Sequence, residues 1–379
     1  MSEIIFDFAV VGAGPAGAYF SYLAAKNNSK VLVFDYSHPR EKPCGGGIGA
    51  FAFNKFKILD KLKKESKVVY KTQLISPKGK TAMTEGSFAV IVSREKLDSY
   101  LLKEAVQSGA KWVKEKVISF KEQNNLWEIK TTNKIYFVKN IVGADGVHSI
   151  VRKKFVGSFE PENLGIGAGY HVGNVELDYA IIKFIKKSGY IWVFPNKTGA
   201  NIGIGTGLSN ATQDLFLELD EFIATNFPKG KKVRKFSGLI PIIQDKKVYD
   251  LPCAGKNWVL LGDAAGHVDP LTAEGIIYAL WSAELAVKAY QQNNLSNFDK
   301  LWRKEYGKNL LAGSNLLPTF YRPRTTELIV AFSSKSKTFA KLMFDLFTSQ
   351  KWYHDIHTHI FKKSLHILFE AIKSNIHRN

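Results

Sequence analysis

Apolar residues fall along this chain in three patterns, and each predicts a different element. Short apolar runs, Phe6 to Val11 broken only by Asp7, Val31 to Phe34, Ile141 to Gly143 and Trp258 to Leu261, read as buried strands. Alternating or extended apolar stretches around Val68 to Ile75, Thr81 to Val90 and Tyr170 to Gly207 predict the strands of a second sheet. Three-and-four spacing marks helices: the Ala-, Tyr- and Leu-rich segment opening at Gly17, residues 94–108 with Leu97, Leu101, Leu102 and Ala105, and Ile276 to Ala289. Beyond about residue 300 the pattern is helical and aromatic. Phe339, Leu342, Met343, Leu346 and Phe347 recur at three and four residues, as do Phe361, Leu365, Leu368, Ile372 and Ile376.

These elements predict an α/β fold: a Rossmann-like nucleotide lobe interleaved with an antiparallel β-sheet substrate lobe, followed by a helical C-terminal region. The first lobe takes residues 1–62, 94–157 and 250–300, the sheet lobe 63–93 and 158–249, and the helical region 301–379. Interleaving of this kind in 379 residues favours one two-lobed unit over separate beads. The basic, amphipathic tail is expected to pack on the body, where it would also suit the roof of a lipid tunnel, with a membrane surface as the other reading.

The glycines of Gly12-Ala13-Gly14-Pro15-Ala16-Gly17 lie between a strand and a helix, which aims backbone N–H groups at a pyrophosphate and makes Gly12, Gly14, Ala16 and Gly17 candidate cofactor ligands. Asp35, at the end of the second strand, stands where an acid accepts hydrogen bonds from the adenosine ribose hydroxyls. Two later segments favour a flavin over a nicotinamide. Asp263, in the turn Gly262-Asp263-Ala264-Ala265-Gly266, suits a ribityl hydroxyl, and the helix start at Gly275 and Ile276 suits the N1 and C2-carbonyl edge of a flavin that is anionic when reduced. Asp145, in Gly143-Ala144-Asp145-Gly146, reads as a third turn near the cofactor. Behind the fingerprint, Lys42-Pro43-Cys44-Gly45-Gly46-Gly47-Ile48 sits where such folds bring backbone against the reactive face.

Charge and composition narrow the setting. Lys and Arg outnumber Asp and Glu by 53 to 34, a net +19, which invites an anionic partner: nucleic acid, an anionic membrane face or a diphosphate. Solvated surface lysines are the plainer explanation, and clusters such as Lys61 to Lys64 and Lys229 to Lys235 are spread too widely to mark one site. The N-terminus runs directly into a strand, so no signal peptide is expected, and no apolar run approaches the roughly 18 residues that would span a bilayer. The two cysteines, Cys44 and Cys253, are too few for a disulfide framework, though a redox pair is conceivable. His354, His357, His359, His366 and His377 crowd the tail, but no cysteine or acid cluster completes a ligand set, and no metal is expected.

Four motifs carry a resemblance. They are Pro43-Cys44-Gly45-Gly46-Gly47, Ser93-Arg94 with Leu97-Asp98, Tyr190-Ile191-Trp192-Val193-Phe194-Pro195, and Asn201-Ile202-Gly203-Ile204-Gly205. With the nucleotide motifs, the chain resembles FAD-dependent geranylgeranyl reductases of the digeranylgeranylglycerophospholipid reductase type, within the flavoproteins that share the fold of para-hydroxybenzoate hydroxylase. Roughly residues 1 to 300 are covered. Two departures, Lys187 where the family's box begins with proline and Ala273 where a glycine commonly precedes Glu-Gly, bear on substrate placement.

The resemblance implies FAD as cofactor, making the first lobe an FAD-binding lobe with Cys44, Gly45 and Gly46 against the flavin. Arg94, and with it Arg40, would steady the phosphates or the ribityl chain. Gly47, Tyr190, Trp192 and Phe194 would line the prenyl cavity, with Cys44, Tyr190 and Trp192 as catalytic candidates in positioning roles. The implied reaction saturates isolated double bonds of geranylgeranyl groups, as diphosphate or membrane lipid. Such bonds lack an electron-withdrawing group, so protonation leads and the tertiary cation then takes hydride from flavin N5. The proton donor is not legible, since a thiol of pKa about 8.5 is a weak acid for an alkene. Implied partners are an isoprenoid or prenylated lipid and an electron donor such as ferredoxin, NAD(P)H or a quinol, with no nucleic acid, in a cytoplasmic protein or one peripheral at the inner membrane face. An aromatic monooxygenase of the same fold and a non-catalytic basic flavoprotein binding nucleic acid or membrane are the alternatives.

Overall fold

The computed structural model describes residues 5–211 and 215–376, so His377 and the side chain of Ile376 lie outside the described residues. The strand Phe6–Val11 pairs in parallel with Val31–Phe34 on one side and with Ile135–Gly143 on the other. Lys111–Val113 and Trp258–Leu260 extend this parallel core at its two flanks. Leu126–Thr131 and Val117–Gln123 add an antiparallel hairpin, completing seven strands. The short apolar runs arise because helices Pro15–Lys26, Arg94–Gln107 and Ile276–Gln291 pack with these strands in one core cluster that includes Phe8, Val10, Leu32, Leu101 and Leu280.

Contact between helix and turn is unusually close at the fingerprint. Gly12 has φ +95°, and a Cβ at Gly17 would stand 1.9 Å from the Gly12 carbonyl oxygen. Only glycine at both positions lets helix Pro15–Lys26 start directly on the turn.

The second sheet runs in the order Lys231–Pro241, Leu164–Gly173, Gly199–Gly207, Tyr190–Asn196, Ala180–Phe184, Lys67–Ile75, Thr81–Ile91, Gly47–Gly49. It departs from the wholly antiparallel sheet expected from sequence. Ala180–Phe184 and Lys67–Ile75 pair in parallel, because each belongs to a separate excursion of the chain and the two excursions meet there. The strand Gly47–Gly49, counted above with the nucleotide lobe, pairs with Thr81–Ile91 in this sheet. One face is covered by helix Leu215–Asn226 through Leu219, Phe222 and Ile223. Helices Lys308–Phe320, Pro323–Ser333 and Lys337–Phe347 bring Tyr321, Val330, Leu342, Met343 and Leu346 against Leu74 and Phe184 of the sheet.

The last helix, Ile356–Ile376, corrects one expectation. Its stripe was expected to pack on the body, yet Phe361 is 81%, Leu365 82%, Leu368 57% and Ile372 52% exposed, while Ile367 and Ala371 face inward. The inward face is narrow and rests on helix Lys337–Phe347, where Glu370 accepts hydrogen bonds from Ser336 and Thr338.

Gly17→Ala forces turn and helix apart, and we expect it to lower the urea unfolding free energy by about 1–3 kcal/mol without changing secondary-structure content.

Candidate active site

One cavity of about 510 Å³ joins the two sheets, running from Gly14 and Ala16 past the loop Lys42–Gly47 to the aromatic strand and the C-terminal helices. At its nucleotide end, charge is organised around Asp98. Arg94 grips this buried carboxylate in a bidentate pair, Nε to Oδ1 and Nη2 to Oδ2 at 2.9 Å, and Arg40 adds a third contact at 3.2 Å. Ser93 caps helix Arg94–Gln107 through the Lys96 N–H, and Glu41 accepts from the Arg94 N–H, so the helix start that carries Arg94 is fixed as well as its guanidinium. The half-buried Lys42 stands near Arg94, Asp263 and Asp98; burial, and then the Arg94 charge, lower its pKa.

Asp35 performs a task its position did not reveal. Its Oδ2 accepts the Ala13 N–H at 2.9 Å and its Oδ1 accepts both the N–H and the hydroxyl of Ser37, so the carboxylate ties down the glycine turn and keeps lone pairs for a ribose. Burial opposes the charge, but these hydrogen bonds hold the Asp35 carboxyl below its ordinary value. Asp145 likewise turns away. Its Oδ2 accepts the Ile150 N–H at 2.8 Å at the start of helix Ile150–Phe155, and it is the neighbouring Ala144 and Gly146 that line the cavity. Gly12, Gly17, Asp35 and Asp145 are not among the residues lining this cavity. Gly14, Ala16, Cys44, Gly45, Gly46, Gly47, Arg94, Asp263, Gly275, Ile276 and the three box aromatics form it.

The residues fit FAD. A Cβ at Gly14 would stand 3.7 Å from Arg94 Nη2, leaving an open groove between a helix N-terminus and two cations, as a diphosphate requires. Asp263 Oδ1 lies 3.0 Å from where a Cβ of Gly275 would be, so an acceptor and a helix start share one edge of the cavity. Lys42, Arg94, Asp263, Gly275 and Ile276 are the groups that would hold the cofactor.

Beyond the cofactor end the wall is backbone against aromatic ring. Tyr190, Trp192 and Phe194 share the cavity face of their strand, while Ile191 and Val193, fully buried, point into the opposite core, as alternation dictates. Trp192 lies on a glycine floor: it pairs in register with Gly203, where a Cβ would come within 2.2 Å of its ring, and Gly205 and Gly167 continue the floor. Gly45 and Gly47 meet Phe194 in the same way, at 2.8 and 3.1 Å. Trp192 donates its indole N–H to Asn201 Oδ1, and Asn201 donates its amide to the Cys44 carbonyl, both at 2.8 Å. This bridge joins the aromatic box to the cysteine loop. Cys44 Sγ accepts only the Gly46 N–H, at 3.4 Å.

The segment Asp269–Gly275 closes the far side. Tyr190 donates its hydroxyl to the Thr272 carbonyl at 2.6 Å and stacks on Tyr321, which donates to the Leu271 carbonyl. Ala273 adopts φ +58°, the left-handed region that glycine enters freely and alanine only with strain. Glu274 lines the cavity, and its Oε1 is shielded from solvent with no hydrogen-bond partner. The sequence reading quoted Asp98, Asn201 and Glu274 inside motifs without giving them roles, since only the fold shows which groups they face. Cys253 drops out. Both thiols are free, and Cys253 is buried beside His267, its pKa pushed up to about 12 by burial.

Residues 164–240, which carry the glycine floor and the aromatic box, match the family description "Geranylgeranyl reductase catalytic domain". An uncharacterised protein of Methanosarcina barkeri is 30% identical over 82% of this chain and 81% of its own. Digeranylgeranylglycerophospholipid reductase 1 of Methanococcoides burtonii is 29% identical over 89% of each chain. The crystal structure of a geranylgeranyl bacteriochlorophyll reductase-like protein from Thermoplasma acidophilum superposes with a TM-score of 0.79 at 22% identity, covering 98% of this chain and 100% of that one.

Burial first, and then the neighbouring Asp269 charge, raise the Glu274 carboxyl from 4.5 to about 8. The native state keeps a proton that the unfolded chain releases, so the stability this gives is complete below pH 4.5 and is lost as pH rises through about 8. In the cofactor-free protein, Glu274→Gln removes this slope. We expect its Tm to gain on the wild type steadily between about pH 5 and about pH 9 in thermal denaturation.

Proposed function

The chain belongs to the geranylgeranyl reductase family, FAD-dependent oxidoreductases acting on carbon–carbon double bonds, and from that premise we propose that it saturates isolated double bonds of geranylgeranyl groups on a glycerophospholipid or diphosphate. The observation that carries this reading is the continuous cavity, whose cationic end fits a dinucleotide and whose remaining wall is aromatic rings and glycine backbone. Such a wall suits a long hydrocarbon better than a polar aromatic substrate, which would need directed hydrogen-bond donors.

FAD, when bound and reduced, supplies hydride. The chain's residues provide the rest. Arg94, held by Asp98, and Lys42 bind phosphate charge, and Asp263 with the Gly275 helix start orients the flavin edge. Trp192 and Phe194, fixed by Asn201 and by glycines, exclude water and present π faces to the tertiary cation that protonation of an isolated alkene creates. Cys44 positions: its carbonyl anchors Asn201 and its backbone carries the glycines that meet Phe194.

A lipid-borne substrate also gives the exposed helix a task. Phe361, Leu365, Leu368 and Phe369 form an outward apolar stripe bordered by Lys362, Lys363 and Lys373, a pattern suited to an anionic bilayer surface. Among the described residues no helix is long and apolar enough to cross a membrane, so contact would be peripheral.

Three outcomes follow. Anaerobically reduced protein mixed with geranylgeranylated phospholipid gives products heavier by two hydrogens per saturated bond in mass spectrometry; an unchanged substrate mass, with oxygen uptake on addition of an aromatic acid, would favour the monooxygenase. Trp192→Ala keeps FAD uptake but slows prenyl reduction by about 3–30-fold, the range of a lost cation–π contact of about 0.5–2 kcal/mol. In flotation assays the wild type rises with anionic vesicles at low salt, and the double substitution Phe361→Ser with Leu365→Ser leaves it in the pellet fraction.

A further inference from the structure

Saturating an isolated alkene requires a proton at one carbon before or as hydride reaches the other, and the groups named so far do not supply it. The cavity wall carries few exchangeable protons. Tyr190 and Tyr321 have committed their hydroxyls to the Thr272 and Leu271 carbonyls. Lys42 and Arg94 are cations at the phosphate end, where Arg94 is locked to Asp98 and both face Asp263. Thr84 donates to the Thr72 carbonyl. Asp263 faces the two cations, which leaves Cys44 and Glu274 among the acids of the wall; a carboxyl raised to about 8 is hardly a stronger acid than an ordinary thiol, so acid strength does not choose between them, and the partnerless buried oxygen of Glu274 does.

Resting on the prenyl-reduction reading, we propose that the Glu274 carboxyl is the catalytic acid that protonates the alkene. The Glu274 side chain lines the cavity, its Oε1 is shut off from solvent without a partner, and the Gly49 N–H faces the carboxylate from the strand that continues the cysteine loop. The titratable groups that face it are Asp269 from its own loop, Tyr190 from the aromatic strand and Tyr278 from helix Ile276–Gln291; none of these is a cation. An unpaired carboxyl in such surroundings stays neutral, and a neutral carboxyl holds a transferable proton. Burial raises the Asp269 carboxyl as well, but Asp269 accepts from the Leu271 and Thr272 N–H groups at 2.9 Å and from the Tyr353 hydroxyl at 3.1 Å, bonds that favour its charged form, while Glu274 Oε1 has no such partner, so of the two it is Glu274 that keeps its proton more firmly.

The same burial that keeps the proton in place works in favour of its transfer. Ionisation into water is opposed by desolvation, but transfer to an alkene creates a cation beside the new carboxylate, and their attraction offsets that penalty. The O–H bond breaks as the alkene π pair forms a C–H bond, leaving a tertiary cation beside the Glu274 carboxylate; bound, reduced FAD would supply the hydride that quenches it, and a solvent proton would restore the carboxyl.

The test uses wild-type, Glu274→Gln and Glu274→Asp holoenzymes, reduced with dithionite and mixed anaerobically with geranylgeranylated phospholipid in detergent. We expect all three to bind FAD and lipid alike, flavin reoxidation to slow at least about 100-fold in the Gln variant, and the Asp variant to recover part of the rate. The wild-type rate falls as pH passes about 8. Infrared pH titration of the cofactor-free wild type shows a protonated carboxyl band that disappears over the same range and is missing from the Gln variant; this readout stands if no variant folds. Reoxidation of Glu274→Gln within threefold of wild type, or a band that titrates as an ordinary carboxyl, overturns the assignment while leaving prenyl reduction intact. A wild type that reduces no prenyl lipid overturns both.

Discussion

The site depends on a single side-chain amide. Asn201 accepts from Trp192 and donates to the Cys44 carbonyl, and those two bonds span the distance between a strand of the substrate sheet and the loop that abuts the cofactor. A buried amide with both ends satisfied is rigid, because losing either partner would leave a polar group unpaired in an apolar wall. The glycines make this possible by removing side chains wherever a ring must lie: Gly203, Gly205 and Gly167 beneath Trp192, Gly45 and Gly47 against Phe194.

A second clamp of the same kind holds the other end. Asp98, fully buried, is shared between Arg94 and Arg40, while Asp35 braces the turn itself. Charge in this lobe is therefore spent largely on holding the cradle open and correctly shaped. Among the described residues, Lys42 and Arg94 are the cations that line the groove where phosphates would lie.

Much of this was legible before any coordinates. Strands Phe6–Val11 and Val31–Phe34 have the bounds their apolar runs predict, because parallel strands packed with helices have no polar face to blur their ends. The aromatic box was readable for the opposite reason, since strict alternation places Tyr190, Trp192 and Phe194 on one face whatever the fold. What escaped were partnerships. Asp35 also braces the glycine turn and Asp145 caps the helix that follows it, and nothing in the spacing of either acid reveals these backbone partners. The exposed stripe of helix Ile356–Ile376 escaped likewise, because periodicity reports that a helix has an apolar face and is silent on which way it turns.

The parallel seam between Ala180–Phe184 and Lys67–Ile75 has a consequence for how the molecule is assembled. The sheet is made from two stretches about a hundred residues apart, and Arg94–Gln107 together with several nucleotide-lobe strands is threaded between them. Closing that seam is a long-range event, which makes it slow and late compared with the local hairpins on either side. The cavity wall is complete only once the seam has closed. A chain arrested before that step would expose Trp192 and its glycine floor to solvent, a surface for premature lipid capture or aggregation.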